Sequence, residues 1–367
     1  MENKNAPVLP RGVWFAFGAA ALFGLSTPVS KLLVGGVHPV MLAGLLYLGS
    51  GLGLSAWTLL RFLSAQRENG SGEASLTRAD LPWLGGAVFF GGVCGPLLLM
   101  WGLTTTSASV ASLLLNLEGV ATALLAWFVF RENFDRRIAL RMVAIVAGGV
   151  LLSWTGGKLS FPPGALLVAG ACVCWGIDNN LTQKVSASDP FQITAIKGLV
   201  AGSVNCTLAL GLGAKFPVFA IFSLALVAGF LGYGLSLVLF VLALRHIGTA
   251  RTGAYFSLAP FVGALVSVAV LRESISSFFL GAGALMGVGV WLHLTERHEH
   301  PHHHEPLEHA HKHTHDEHHQ HSHTARANDT EPHSHRHIHE ETEHQHGHFP
   351  DIHHRHIHAT RILQNPL

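Results

Sequence analysis

The sequence predicts an all-α membrane protein: ten transmembrane helices arranged as two inverted five-helix repeats, followed by a disordered His-rich tail. Three observations predict it. Apolar runs of about 20 residues, the length that crosses hydrocarbon as a helix, recur along most of the chain, with nearly all charges outside them. A stretch of the first half aligns without a gap to a stretch of the second. From Glu296 onward the composition turns hydrophilic and rich in histidine. The chain therefore divides into a first repeat, 1–155, a second repeat, 156–295, and a tail, 296–367.

The elements follow in order. Only Lys4 and Arg11 precede the first run, Val13–Val34, and no cleavage site follows it, so an uncleaved helix is expected rather than a signal peptide. Pro39–Leu60 and Trp83–Leu103 come next, separated by the one long linker, Arg61–Pro82, which is polar and contains Gly and Ser. Ser107–Phe130 and Ile138–Trp154 complete the first unit. The second unit comprises Pro163–Thr182, Phe191–Leu212, Phe219–Leu244, Thr249–Leu271 and Ser276–Leu294. Glycine, at 40 residues, is plentiful, as expected where membrane helices pack through small side chains.

The repeat is clearest where Leu115–Glu132 aligns with Phe256–Glu273, an Arg-Glu pair closing each span. Upstream, Phe23-Gly24 corresponds to Trp175-Gly176. An odd number of helices per unit turns the second copy upside down, an arrangement that builds a site near the bilayer midplane. The segment Ala108–Glu132, recurring at Thr249–Glu273, resembles the signature of the EamA family in the drug/metabolite transporter (DMT) superfamily, and the resemblance covers roughly Gly12–Leu294. The family commonly shows Glu-Pro in the fourth helix. This chain has Glu118-Gly119 there and keeps proline only in the second copy, as Ala259-Pro260, so a helix break is expected more firmly at the ninth span than at the fourth. The resemblance implies secondary export of small molecules, often driven by a proton gradient, and leaves the substrate open.

Orientation follows from the basic residues. With a cytoplasmic N-terminus, Lys4, Arg11, Arg61, Arg67, Arg78, Arg131, Arg136, Arg137, Arg141, Lys184, Arg245 and Arg251 fall inside, and only Lys31, Lys158, Lys215 and Arg272 outside. Both termini are then cytoplasmic and the membrane is the inner (plasma) membrane. Lipid and a cargo are the expected partners, together with a second copy of the chain as a homodimer. A net charge of +1 gives no reason to expect nucleic acid. The four cysteines lie in spans without paired spacing, so neither a disulfide framework nor a zinc finger is indicated. No nucleophile–base constellation, phosphate loop or dinucleotide fingerprint stands in a suitable context, so no enzyme is predicted.

The stretch Cys172–Lys184 is the most informative. Acidic and amide side chains in lipid are costly and usually face a pathway, a partner or a substrate. On a helix, Cys174, Asp178 and Thr182 share one face, with Trp175 beside them. Asp178 could be a cation ligand or proton carrier, or a carboxylate that holds packing. Asn179 and Asn180 would add carbonyl oxygens, but on successive faces. Glu118, one turn from Thr122, is a candidate for proton coupling or a structural acid paired elsewhere. Lys197, with Thr194 and Asn205 on its side of the seventh span, pairs with Asp178 or Glu118, as a displaceable or a static charge, or else snorkels to the interface. Cys174 could join a carboxylate on a borderline metal, although a membrane cysteine is more often a small apolar residue.

All but three of the 27 histidines (His38, His246 and His293) lie between His298 and His358. The runs are His309, His311, His313 and His315; His318, His319, His321 and His323; His333, His335, His337 and His339; and His344, His346 and His348. Imidazole is the commonest side-chain metal ligand, so the tail is expected to bind Ni²⁺, Co²⁺ or Zn²⁺ at exchanging sites, with no cofactor held permanently. A pH-responsive solubilising tail is the competing reading, since imidazole titrates near about 6.5. The expectation is export of a divalent transition metal, nickel or cobalt first, by proton antiport. The alternatives are an exporter of an organic metabolite or amino acid whose tail buffers or senses metal, and a membrane-anchored metal store that moves nothing.

Overall fold

In lipid every backbone polar group must be satisfied within the protein, and a helix does this segment by segment. The structure, a computed structural model, describes residues 11–64, 76–129, 136–155, 158–159, 161–185 and 188–294, and 299–304, 307–313, 333–339 and 342–347 in the tail. Up to residue 294 the described chain is almost wholly helical.

The helices are α1 (Arg11–Val34), α2 (Pro39–Ser64), α3 (Leu81–Ala87), α4 (Gly95–Thr105), α5 (Ala108–Leu114), α6 (Leu117–Phe128), α7 (Arg136–Leu152), α8 (Pro163–Val185), α9 (Pro190–Gly211), α10 (Phe219–Gly229), α11 (Ser236–Phe256), α12 (Ala259–Leu271) and α13 (Ser277–Leu294). Two π-helical turns join pairs of them: Val88–Cys94 between α3 and α4, and Phe230–Leu235 between α10 and α11. Seven helical stretches among the described residues are long and apolar enough to cross a membrane, and Ile138–Leu152, Ala259–Leu271 and Ser277–Leu292 are shorter apolar helices.

Two details differ from the sequence reading. A break is present in the fourth span without proline: α5 ends at Leu114 and α6 begins at Leu117. Asn116 supports that break, its side-chain amide donating to the Leu113 carbonyl (3.0 Å). The ninth span breaks at the corresponding place, between Phe256 and Ala259, with Pro260 in the first turn of α12. The border expected between the eighth and ninth spans, in contrast, carries helical backbone throughout Ser236–Phe256. Gly248 alone is too weak a breaker there to stop helical hydrogen bonding.

Packing follows small residues. Gly51 of α2 lies against Gly198 of α9, and Gly44 against Asn205 and Cys206, so two backbones meet closely. Met41, Leu42, Leu45, Leu46, Leu99 and Ile193 fill the fully buried layer around them. Large apolar side chains also cover the outside, among them Trp14, Phe128, Phe219, Leu265 and Trp291. A surface of this kind suits lipid and is unlike that of a water-soluble domain.

Short strands complete the described chain. Trp154–Thr155 (β1) pairs with Lys158–Leu159 (β2) after α7. In the tail, Glu299–His304 (β3) pairs antiparallel with Thr342–Gly347 (β6), and Leu307–His313 (β4) with His333–His339 (β5). The H-x-H alternation of these segments has the period of a strand. His315, His318, His319, His321, His323 and His348 lie outside the described residues.

Candidate functional site

The charged stretch of α8 faces inward. Asp178 and Lys197 of α9 are each only 5% exposed. The Lys197 ammonium donates to Asp178 Oδ1 at 2.6 Å and also to Oδ2. Thr182, one turn along α8, donates to the same Oδ1 at 2.9 Å, so the shared face predicted for Asp178 and Thr182 is realised. Lys197 is buried in this pair and does not reach the interface.

The asparagines point elsewhere. Asn179 donates to Glu118 Oε1 (2.8 Å) and to Thr122 Oγ1 (3.2 Å) on α6. Asn180 donates to the carbonyls of Gly176 (2.8 Å) and Thr122 (3.2 Å). The polar run thus splits between two neighbours: Asp178 serves α9, and Asn179 and Asn180 serve α6. Cys174 is partly exposed and Cys172 buried, and no group of three or more His, Cys, Asp or Glu suited to a metal ion occurs among the described residues.

The π-helical turn at Val88–Cys94 organises the centre. A π turn leaves carbonyls without their usual helical partners, and side chains from three helices take them up. The Gly91 carbonyl accepts from Tyr47 Oη (2.6 Å, α2) and from Trp175 Nε1 (2.9 Å, α8). The Gly92 carbonyl accepts from Asn205 Nδ2 (3.0 Å, α9), whose Oδ1 is buried without a partner. Gly91 also has no room for a side chain, because a Cβ there would run into the Asp178 carboxylate.

Aromatic rings close the space beside this turn. Tyr47 packs against Tyr233 (centroids 5.4 Å apart), Tyr233 against Phe23 (5.9 Å), and Phe23 edge-on against Trp175 (6.2 Å). The sequence reading did not single out Tyr47, Tyr233 or the Gly91-Gly92 turn. The available signal was small: the chain has only three tyrosines, and all of them lie in apolar spans.

The geometry is that of a carboxylate held by an ammonium in a buried interior between helices. The comparisons with known proteins supply the class. The EamA-like transporter family model matches residues 10–154 and again 162–295. The chain belongs to the EamA-like transporter family. An uncharacterised transporter of Methanothermobacter thermautotrophicus is 31% identical to this EamA-like transporter over 286 residues, covering 75% of the chain and 83% of the relative. The Bacillus subtilis uncharacterised transporter YyaM is 27% identical over 190 residues, 47% of this chain and 60% of that one. A solved crystal structure, 18% identical, matches with a TM-score of 0.58 over 78% of this chain and 96% of that one, and supports the fold. This EamA-like transporter is a multi-pass membrane protein.

Proposed function

We propose that this EamA-like transporter is a secondary exporter of the inner (plasma) membrane, which exchanges a cationic cargo against protons at the Asp178–Lys197 pair. The observation that carries the reading is the buried ion pair itself. A lysine stationed on an intramembrane carboxylate neutralises the site between cycles, and an arriving cation takes its place. Glu118, linked to Asn179 on the opposite face of α8, is the second carboxylate of the path and a candidate for the proton. Asn180, Asn205 and Cys174 border it.

The architecture proposed is ten spans in two inverted five-helix repeats, with both termini and the tail cytoplasmic. Three features support it. The family model matches twice. Gly24 meets Val262 and Gly263 as Gly176 meets Ala121 and Thr122, residue for residue under the alignment. The shift that carries Leu115 onto Phe256 carries the turn Val88–Cys94 to within one residue of Phe230–Leu235. Halves of this kind rock about a shared central site.

The tail supports a divalent metal cargo, nickel or cobalt, collected by His309 to His348 beside the inner mouth. The membrane site supports a second cargo, a small organic metabolite or amino acid, with the tail as metal buffer or sensor. Its specific observation is that the carboxylate is set among a lysine and aromatic rings, without a cluster of metal ligands among the described residues. The test is flux into inverted vesicles with and without a pH gradient. Asp178→Asn should abolish cargo-driven proton movement. Cells expressing the protein should tolerate more nickel or cobalt if the cargo is metal, and a knockout should accumulate an organic solute if it is not. Proton movement unaffected by Asp178→Asn would refute the exchange.

A further inference from the structure

We propose that Phe23, Tyr47, Trp175 and Tyr233 form an aromatic binding site for the ammonium head of an organic cation, with Asp178 as its counter-charge when Lys197 withdraws. The inference rests on the exchange reading and names the class of its cargo.

Four rings meet in a closed sequence. Trp175 touches Phe23, Phe23 touches Tyr233, and Tyr233 touches Tyr47, with centroids 5.4 to 6.2 Å apart. The Gly91 carbonyl closes the circuit, since both Tyr47 and Trp175 donate to it. Two rings come from α1 and α2, and two from α8 and the second π turn, so each half of the chain contributes a pair. The Asp178 carboxylate lies directly against Gly91, at the seam of the circuit.

Ordinary core packing does not require this composition. Leucine or phenylalanine would fill the space without polar heads, whereas three of the four rings carry one. Two of those heads converge on the carbonyl beside the carboxylate. The third, the Tyr233 hydroxyl, is buried beside the Ser26 and Ser30 hydroxyls, and neither it nor Ser30 makes a hydrogen bond of full geometry. A buried hydroxyl so weakly satisfied costs stability. A ring face attracts a diffuse cation within about 6 Å of its centroid, and several faces around one carboxylate select an organic ammonium over a hard, strongly hydrated ion. A divalent metal needs several oxygen, nitrogen or sulfur ligands in direct contact, and no such group occurs among the described side chains.

The experiment uses the full-length chain, purified for binding and reconstituted in proteoliposomes for proton flux. The probes are choline, tetramethylammonium, the uncharged choline isostere 3,3-dimethyl-1-butanol, and nickel chloride in the flux arm. Choline and tetramethylammonium should bind at least tenfold more tightly than the neutral isostere and should drive proton movement that Asp178→Asn abolishes. Trp175→Leu should weaken choline binding roughly tenfold. Tyr233→Leu, which gives up only weak contacts of the hydroxyl with Ser26 and Ser30, should do the same in a chain that still folds, and Tyr233→Phe should restore it to within about twofold, since the ring face is kept. Equal binding of choline and its neutral isostere, or binding of neither, overturns the aromatic site. If nickel alone drives Asp178-dependent flux, the aromatic site falls and the exchange stands. If no cation drives Asp178-dependent flux, the exchange itself falls.

Discussion

A lysine and an aspartate removed together from water lose hydration and recover it only from each other and their neighbours. In this chain the neighbours are few: Thr182 reaches Asp178 Oδ1, and Gly91 presses against the carboxylate. Removing one member leaves the other charged and stranded. Lys197→Met should therefore destabilise the protein by about 3–5 kcal/mol, and adding Asp178→Asn to it should recover most of the loss. Thermal unfolding of the two variants in detergent checks this, and a double variant no more stable than Lys197→Met would contradict it. Gly91→Ala should lower both stability and transport, because the new methyl displaces the carboxylate from Lys197; thermal unfolding in detergent and flux per folded protein in vesicles read the two effects. The charged members were legible in the sequence because any acid or lysine in an apolar run demands an explanation. Tyr47, Tyr233 and Gly91 were not, because an apolar span tolerates each of them for ordinary packing reasons, and only the folded chain brings Tyr47 onto the Gly91 carbonyl with Tyr233 packed against its ring.

At the scale of elements, the hairpin between α4 and α5 is held by side chains from distant helices. Lys31 of α1 donates to the carbonyls of Leu103 (2.6 Å) and Thr106 (2.9 Å), at the end of α4 where unpaired carbonyls gather. Glu273, just past α12, accepts from the amides of Ala108 and Ser109 at 2.8 Å each, at the start of α5. Arg272 adopts a left-handed conformation (φ 54°), which turns the chain so that Glu273 can reach. The carboxylate thus ties one half of the protein to the other. Glu273→Gln should remove about 1 kcal/mol of capping and loosen this end, since one acceptor becomes a donor facing an amide. The readout is faster labelling of a cysteine at Ser107 by a membrane-impermeant maleimide; an unchanged rate would show that the contact does not hold the end shut. The Arg-Glu pair was visible in the sequence as the close of the fourth and ninth spans. Its partner was hidden, because the contact joins residues 165 positions apart. The break in the fourth span was likewise obscured, because proline is the usual sequence mark of a helix break and here an asparagine side chain serves instead.

For the whole molecule, the number of helices in each repeat fixes which loops share a side. In the proposed architecture, five per unit makes the second copy enter from the opposite face, so structurally equivalent loops must open to opposite compartments. The segment 61–80, the last turn of α2 and the linker beyond it, closes the second helix of the first unit, and the turn 212–218 follows the second helix of the second. Under the proposed topology the first is cytoplasmic and the second external, although the repeat makes them counterparts. Basic residues agree, with Arg61, Arg67 and Arg78 in one and Lys215 alone in the other. Single cysteines at Ser71 and Ala214, introduced after the four native cysteines are replaced by alanine, should therefore react from opposite sides. An impermeant maleimide should label Ala214→Cys in intact cells and Ser71→Cys only in inverted vesicles. Labelling of both from one side would require an even number of crossings between them, and the second unit could not then be an upside-down copy of the first. In that event the pairing of rings from the two halves around Gly91 would lose its symmetry argument, while the Asp178–Lys197 contact would remain.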